Sequence, residues 1–156
     1  MTTITVFSDN HGTPLPTKLT SVAFESNLVF FLGDGILSLG DMLLHNGFHA
    51  VKGNCDPSCG FCDEEVVDVE NVVRILLTHG DKYRVKSDLT SLYMRARELE
   101  CNLVLYGHTH FADIQKYAGV TLVNPGAIHS ARTGAPSYAY VVVTNGKFVV
   151  KIVNLT

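Results

Sequence analysis

Short apolar runs separated by polar breaks dominate the pattern of the chain, and they predict strands joined by helices. Residues 3–7, 28–32 and 48–51 are rich in β-branched and aromatic side chains, which is typical of buried strands. Between them, apolar residues at helical spacing predict one helix from Thr17 to about Ser26 and a second from Ile36 to His45. We expect the apolar residues of the second helix to face mostly inward: Leu37, Leu39, Met42, Leu43 and Leu44.

The second half of the chain orders its elements differently. Further strands are predicted at 65–69, 72–77, 102–106, 113–117, 120–123, 137–144 and 148–153. A helix capped by Ser87 or Asp88 is predicted to end near Glu100. Asn145 and Gly146 are a typical hairpin turn between the last two strands. Alternating strands and helices favour parallel pairing and the closing hairpins favour antiparallel pairing, so we predict an α/β (α+β) fold.

Side chains that can ligate metal ions directly follow most of the predicted strands: Asp9, His11, Asp34, Asn54, His79, His108 and His110. In an open α/β sheet, ligands bind at the edge where the carboxyl ends of parallel strands lie. His108 and His110 are one residue apart, so both imidazoles can face one cavity. Each residue alone is also typical of a turn, but seven nitrogen and oxygen donors exceed one tetrahedral site. Together they suit two ions of higher coordination number.

Length and composition narrow the possible classes of protein. The chain of 156 residues predicts a single domain over 1–156, and 46% hydrophobic with 17% charged residues excludes a disordered protein. A net charge of -3 argues against a stable complex with nucleic acid. The apolar runs are far shorter than the roughly 20 residues that span a bilayer, and the first residues do not resemble a signal segment. We therefore expect a cytoplasmic protein without a membrane partner.

Four cysteines are expected to be reduced thiols: Cys55, Cys59, Cys62 and Cys101. A structural zinc site at the first three is the less favoured alternative, because one Cys-x-x-Cys without a second pair is a weak signal. We expect Cys59 and Cys62 to belong to a loop beside the active site.

Five blocks of residues make the chain resemble the calcineurin-like metallophosphoesterases, in particular the small YfcE-like phosphodiesterases of bacteria and archaea. The blocks follow the family's order: Asp9 to Gly12, Gly33 with Asp34, Gly53 to Asp56, Thr78 to Gly80 and Gly107 to His110. A turn at Asn124 to Gly126 is also typical of the small members. The resemblance covers nearly the whole chain and implies a four-layer α/β/β/α sandwich, in which two mixed sheets are flanked by helices.

The resemblance also implies a centre of two divalent metal ions. Its ligands form two sets, with Asp9, His11 and His110 on one ion and Asn54, His79 and His108 on the other. Asp34 would bridge the two ions. A hydroxide shared by the ions would attack phosphorus, and Asp34, Asn54 and Cys55 would be the catalytic residues. Manganese is the expected metal, and nickel, iron, cobalt, zinc and magnesium are also compatible with this donor set.

Three positions depart from the family pattern. Cys55 stands where many members have a histidine that assists the leaving group, and Phe31 replaces a histidine before the Gly-Asp block. Asp81 replaces a second histidine after Gly80. A thiol with an unperturbed pKa of about 8.5 is a poor substitute for an imidazolium, so we predict a preference for diesters with good leaving groups over monoesters.

The sequence therefore predicts a phosphodiesterase for a small phosphodiester or nucleotide-type substrate, with homo-oligomerisation left open. One alternative is a non-catalytic or weakly catalytic scaffold of the same fold, like the family's vesicle-sorting subunit. Another is a nucleotidase or other phosphomonoesterase. The complete ligand set favours an enzyme, because a scaffold does not need a bridging carboxylate. His129 and Arg132 could contact substrate, although a solvated loop is the favoured interpretation.

Overall fold

The computed structural model describes residues 1–58, 60–132 and 134–156, and within these residues the chain forms ten strands and two α-helices. The strands are β1 (Thr2–Phe7), β2 (Leu28–Phe31), β3 (Phe48–Ala50), β4 (Glu64–Val69), β5 (Val73–Thr78), β6 (Leu103–Tyr106), β7 (Asp113–Tyr117), β8 (Val120–Asn124), β9 (Ser137–Thr144) and β10 (Lys147–Asn154). The helices are α1 (Thr17–Glu25) and α2 (Thr90–Glu98). In the part of the chain that is described, no helix is long and apolar enough to cross a membrane.

The strands form two mixed sheets of five strands each. Sheet A has the order β10-β9-β1-β2-β3, and sheet B has the order β4-β5-β6-β8-β7. In sheet A, β1 pairs in parallel with β2 and β2 with β3, while β9 and β10 add antiparallel strands. In sheet B, β5, β6 and β8 are parallel, and antiparallel β4 and β7 form the edges. Each sheet therefore presents the carboxyl ends of three adjacent parallel strands.

The two sheets pack face to face, with one helix on each outer surface. Strand β2 shows why its apolar run is continuous: Phe30 lies between the sheets, while Val29 and Phe31 belong to the layer of α1. On the other side, Leu92 and Ala96 of α2 pack on residues of sheet B. The structure is therefore a four-layer α/β/β/α sandwich, and the predicted fold is confirmed.

The predicted helix from Ile36 to His45 is wrong. The segment forms two 3-10 turns, Ile36–Ser38 and Gly40–Leu44. Gly40, the first residue of the second turn, has a φ of +59°, which lies outside the α-helical region and breaks the predicted helix. The expected inward orientation also fails for three of the five residues: Leu39 and Met42 are buried, whereas Leu37, Leu43 and Leu44 are exposed.

Candidate metal centre

Six of the seven predicted ligands converge where the two sheets meet. Sheet A supplies Asp9 and His11 after β1 and Asp34 after β2. Sheet B supplies the remaining three, His79 after β5 and His108 with His110 after β6. These residues form two groups whose ligand atoms lie within 4.8 Å of one another, Asp9 with His11 and His110, and Asp34 with His79 and His108. The structure thus brings six of the seven predicted ligands together, without Asn54, and their binding of metal ions stays a prediction.

The carboxylate of Asp9 lies at the middle of this arrangement. Its Oδ1 atom is buried and accepts no hydrogen bond from the described residues. Three imidazole Nε2 atoms surround it, from His110 at 3.4 Å, His11 at 3.6 Å and His79 at 3.8 Å. A buried carboxylate oxygen without a hydrogen bond is costly, so its surroundings call for a cation.

Asp34 is the centre of the second group. Its Oδ2 lies 3.1 Å from Nε2 of His79 and 3.9 Å from Nε2 of His11, so it contacts residues of both groups. Nδ1 of His108 lies 3.2 Å from Nε2 of His79. Asp34 therefore lies between the two groups of candidate ligands.

Backbone carbonyl groups orient two of the imidazoles. Nδ1 of His79 lies 2.7 Å from the carbonyl oxygen of Leu32, and Nδ1 of His110 lies 3.1 Å from that of Ser130. Each Nδ1–H therefore donates to a carbonyl oxygen, and Nε2 is the ring atom that faces the carboxylates. Ligands bound to one ion at about 2.1 Å are about 3.0 Å apart when their bonds meet at a right angle and farther apart at wider angles. The observed separations fit that requirement.

Mutual interactions shift the protonation of these groups. Burial would raise the pKa of Asp34, but its hydrogen bond with His79, the charge of His79 and the N–H of Cys55 outweigh burial and lower that pKa to about 2. Burial would lower the pKa of His79, yet Asp34 and Asp9 together raise it. For His108, burial and the neighbouring charge of His79 both lower the pKa. Asp34 is therefore ionised at physiological pH and available as a ligand.

The backbone conformation of the centre is unusual, and sequence patterns do not reveal it. Five of the predicted ligands have a positive φ: Asp9 (58°), His11 (46°), Asp34 (65°), His108 (72°) and His110 (61°). Residues other than glycine adopt this region rarely, and such strain tends to gather at functional sites. The turns bend each side chain inward immediately after its strand.

Asp56, a residue for which the sequence predicts no role, holds the loops of the centre together. Its carboxylate accepts four backbone N–H bonds, from Asp34 (2.7 Å), Gly35 (2.8 Å), Ile36 (3.1 Å) and Gly53 (2.8 Å). The loop after β2 is thereby joined to the loop after β3. Gly53 also allows a close approach, because a Cβ there would lie 2.1 Å from Oδ1 of Asp34.

A second set of contacts fixes Asp9 against sheet B. Its Oδ2 accepts hydrogen bonds from the hydroxyl of Ser8 (2.6 Å) and from the backbone N–H of His108 (3.1 Å). The same approach requires Gly107, where a Cβ would lie 2.2 Å from Oγ of Ser8. Only the other oxygen of Asp9 is then left to face the imidazoles.

The loop after β3 carries the remaining predicted site residues. Asn54 is exposed, and its side-chain amide donates to Sγ of Cys55 at 3.6 Å, so its assignment to the ion of His79 and His108 stays a prediction. Cys55 is exposed, with its N–H donating to Oδ1 of Asp34 at 2.8 Å. Burial and the charge of Asp34 raise the pKa of the Cys55 thiol, which is therefore neutral in the absence of a cation.

The other cysteines are free wherever the structure describes them, Cys62 being exposed and Cys101 buried. Cys59 lies outside the described residues, so the predicted placement of Cys59 in the loop and the alternative three-cysteine zinc site stay untested.

The remaining positions singled out in the sequence lie around the centre. His129 is exposed, with its ring centroid 6.2 Å from that of His11. Arg132 is also exposed, and its backbone N–H donates to the carbonyl of His110 at 2.7 Å. Phe31 is buried against Phe7 in the layer of α1, and Asp81 begins a 3-10 turn. His129 and Arg132 thus lie at the rim, where a substrate could reach them.

The chain is similar to one family over nearly its whole length. The family model for the calcineurin-like phosphoesterase superfamily domain matches residues 2–146. The probable metallophosphoesterase YsnB of Bacillus subtilis is 33% identical over 147 residues, which are 91% of this chain and 85% of that protein. A conserved Streptococcus pneumoniae protein, a predicted phosphoesterase, has a crystal structure with a TM-score of 0.84 and 29% identity, covering 98% of this chain and 89% of that one. Vps29 of Entamoeba histolytica in complex with zinc shares the fold, with a TM-score of 0.75, 22% identity and 99% coverage of both chains.

Proposed function

The chain belongs to the calcineurin-like phosphoesterase superfamily, and from that premise we propose that it hydrolyses phosphodiesters with the help of two divalent metal ions. The observation that carries the proposal is the buried Oδ1 of Asp9, which faces three imidazole nitrogens and accepts no hydrogen bond from the described residues. Protonating the three rings could also satisfy this oxygen. We favour a divalent ion, because a single ion would satisfy this oxygen and the three imidazole nitrogens at once.

We assign the ligands as two overlapping sets. Asp9, His11 and His110 would hold one ion, and Asn54, His79 and His108 would hold the other, with Asp34 shared between them. When bound, such ions polarise the phosphoryl oxygens and lower the pKa of the attacking water. The two carboxylates cancel only half of the charge of two divalent ions, and Asn54 adds none. The centre therefore remains attractive to a phosphate anion.

The surroundings favour a substrate with an organic group on each side of phosphorus. Leu37 is 72% exposed and lines the same groove as Asp34, Cys55 and Pro57. An exposed leucine beside charged groups offers an apolar contact that a diester can use for its second ester group. Cys55 is a weaker proton donor than the histidine it replaces, so the leaving group should need little protonation. Together these residues favour diesters of good leaving groups over unactivated monoesters.

Metal dependence and Asp34 test this proposal directly. The purified protein, treated with chelator and reloaded with manganese or zinc, should hydrolyse bis-p-nitrophenyl phosphate, and Asp34→Asn should abolish turnover and lower the bound metal measured by elemental analysis. Asp41→Asn, an exposed carboxylate on the second 3-10 turn, is the matched control and should behave as the parent protein. Full activity in Asp34→Asn, or in the metal-free protein, would contradict the proposal.

Side-by-side turnover separates the possible phosphoesterase activities. We expect bis-p-nitrophenyl phosphate to be hydrolysed faster than p-nitrophenyl phosphate. Leu37→Ala should raise KM for the diester, whereas Leu44→Ala, an equally exposed leucine outside the groove, should not. Faster hydrolysis of the monoester would favour the nucleotidase or phosphomonoesterase alternative.

A scaffold role is the second candidate, because Vps29 shares the fold over the full length of the chain. A scaffold would show no metal-dependent turnover with any phosphoester, and Asp34→Asn would leave its partner binding intact. The two adjoining groups of candidate ligands, with two carboxylates and four imidazoles between them, support the enzyme.

A further inference from the structure

Cys55 belongs to a third group of potential ligands. Its Sγ atom, one imidazole nitrogen of His11 and one carboxylate oxygen of Asp34 all lie within 4.8 Å of one another. His11 is assigned above to one ion and Asp34 to both. The sulfur therefore faces the side of the centre on which the Asp9, His11 and His110 set lies.

The position of Cys55 is fixed by its neighbours. Its N–H donates to Asp34 Oδ1 at 2.8 Å, and Asp56, the next residue, accepts the N–H groups of Asp34 and Gly53. The side chain of Asn54 donates to the sulfur at 3.6 Å. These contacts hold the sulfur beside the carboxylate that the two ions are proposed to share.

We propose that Cys55 is itself a metal ligand, whose thiolate completes the coordination of the ion held by Asp9, His11 and His110 and makes this position selective for thiophilic ions. The inference rests on the metal centre of the proposed function. On binding, the sulfur–hydrogen bond gives way to a sulfur–metal bond and the proton passes to solvent. Imidazole and carboxylate donors accept manganese and zinc alike, whereas a thiolate favours zinc, cobalt or iron over manganese and magnesium. Zinc, cobalt or iron then replaces manganese as the expected ion at this position.

Cys62 provides a matched control for every measurement. It is an exposed free cysteine on the same β3–β4 connection, and the ligand groups formed by the described residues include Cys55 but not Cys62. A thiol that merely lies on an accessible loop would behave like Cys62. A thiol that binds the ion would not.

Cobalt(II) titration of the chelator-treated full chain tests the inference by absorption spectroscopy. A sulfur-to-cobalt charge-transfer band in the near ultraviolet should appear in the parent protein and in Cys62→Ser, and it should be absent in Cys55→Ser. Visible ligand-field bands should persist in Cys55→Ser, because imidazoles and carboxylates still bind the ion. Zinc affinity, measured by competition with a chromophoric chelator, should fall about tenfold or more in Cys55→Ser, with a smaller change for manganese.

The outcomes separate this inference from the proposed function. Ligand-field bands without a charge-transfer band in the parent protein would overturn the inference and leave the metal centre standing, as would a charge-transfer band that survives in Cys55→Ser. Absence of cobalt binding in every variant would overturn both. Far-ultraviolet circular dichroism identifies a variant that fails to fold. If Cys55→Ser does not fold, Cys55→Ala replaces it and should likewise show ligand-field bands without the charge-transfer band.

Discussion

Replacing Asp56 should destabilise the protein far more than removing an ordinary surface carboxylate. Asp56→Ala removes the acceptor of four backbone N–H groups on two loops. A hydrogen bond to a charged group contributes about 1.5 to 3 kcal/mol net, and water can replace part of this because Asp56 is only half-buried. We therefore expect a loss of about 3 to 5 kcal/mol in the free energy of unfolding. For a chain of this length that corresponds to a fall in Tm of about 6 to 20 °C.

Urea denaturation of the metal-free protein, followed by circular dichroism, measures this loss without interference from bound ions. Asp56→Asn keeps the size of the side chain and one accepting oxygen, so it should lose about 2 kcal/mol. Asp63→Ala is the control, because Asp63 pairs with Lys82 at the surface and such pairs contribute about 1 kcal/mol or less. A loss below about 1 kcal/mol in Asp56→Ala, or equal losses in Asp56→Ala and Asp63→Ala, would refute the reasoning.

Three further predictions concern the core, pH dependence and bound metal. Phe30 lies between the sheets, so Phe30→Ala should lower the free energy of unfolding, measured by urea denaturation, by about 3 to 5 kcal/mol. Phe24 is half-exposed on α1, so Phe24→Ala should lower it by about 1 kcal/mol or less. Equal losses in the two variants would contradict the packing described. Burial and the hydrogen bond to Glu64 raise the pKa of Tyr83 to about 12, so the folded state favours the neutral phenol and stability should fall as pH rises from 10 towards 12. Tyr83→Phe should show a smaller fall in urea midpoint over that interval, and an unchanged fall would exclude Tyr83 as its source. In a thermal-shift assay, removing zinc with a chelator should lower the Tm of the zinc-loaded protein, because zinc at about 100 times its Kd would stabilise the folded state by about 2.7 kcal/mol. Asp9→Asn should show no such difference in Tm between the zinc-treated and chelator-treated protein.

Local sequence patterns predicted most strands because each is a short apolar run bounded by polar residues. Strand β2 is an example, since its residues are buried on both faces and the whole run is apolar. The helix over Ile36–His45 was predicted on the same kind of evidence and is wrong. Its backbone is held by the carboxylate of Asp56, which is 20 residues from Ile36 in the chain, and by the left-handed turn at Gly40. Neither influence is visible in the spacing of leucines.

The candidate metal ligands could be located from the sequence because each follows a strand closely. Their local geometry could not, since the positive φ of Asp9 and Asp34 depends on contacts between distant segments. The backbone N–H of Asp9, for example, donates to the carbonyl of Gly33 at 3.0 Å, and that of His11 donates to Asp34 at 2.9 Å. Asp56 lies within one of the family blocks, but its four hydrogen bonds join loops that are far apart in sequence. An aspartate two residues after a predicted ligand is the signal that could have suggested its role.

The even division of the candidate ligands between the sheets has a mechanical consequence. One sheet supplies Asp9, His11 and Asp34, and the other supplies His79, His108 and His110. Ions bound to these residues would therefore link the two sheets along one rim of the sandwich. Amide hydrogen exchange should then slow on loading at the ends of β1 and β6 next to the ions, and change little in the β9–β10 hairpin. Bound ions would thus hold the two sheets together at the rim that carries the candidate ligands and leave the opposite edge of the sandwich free to separate first.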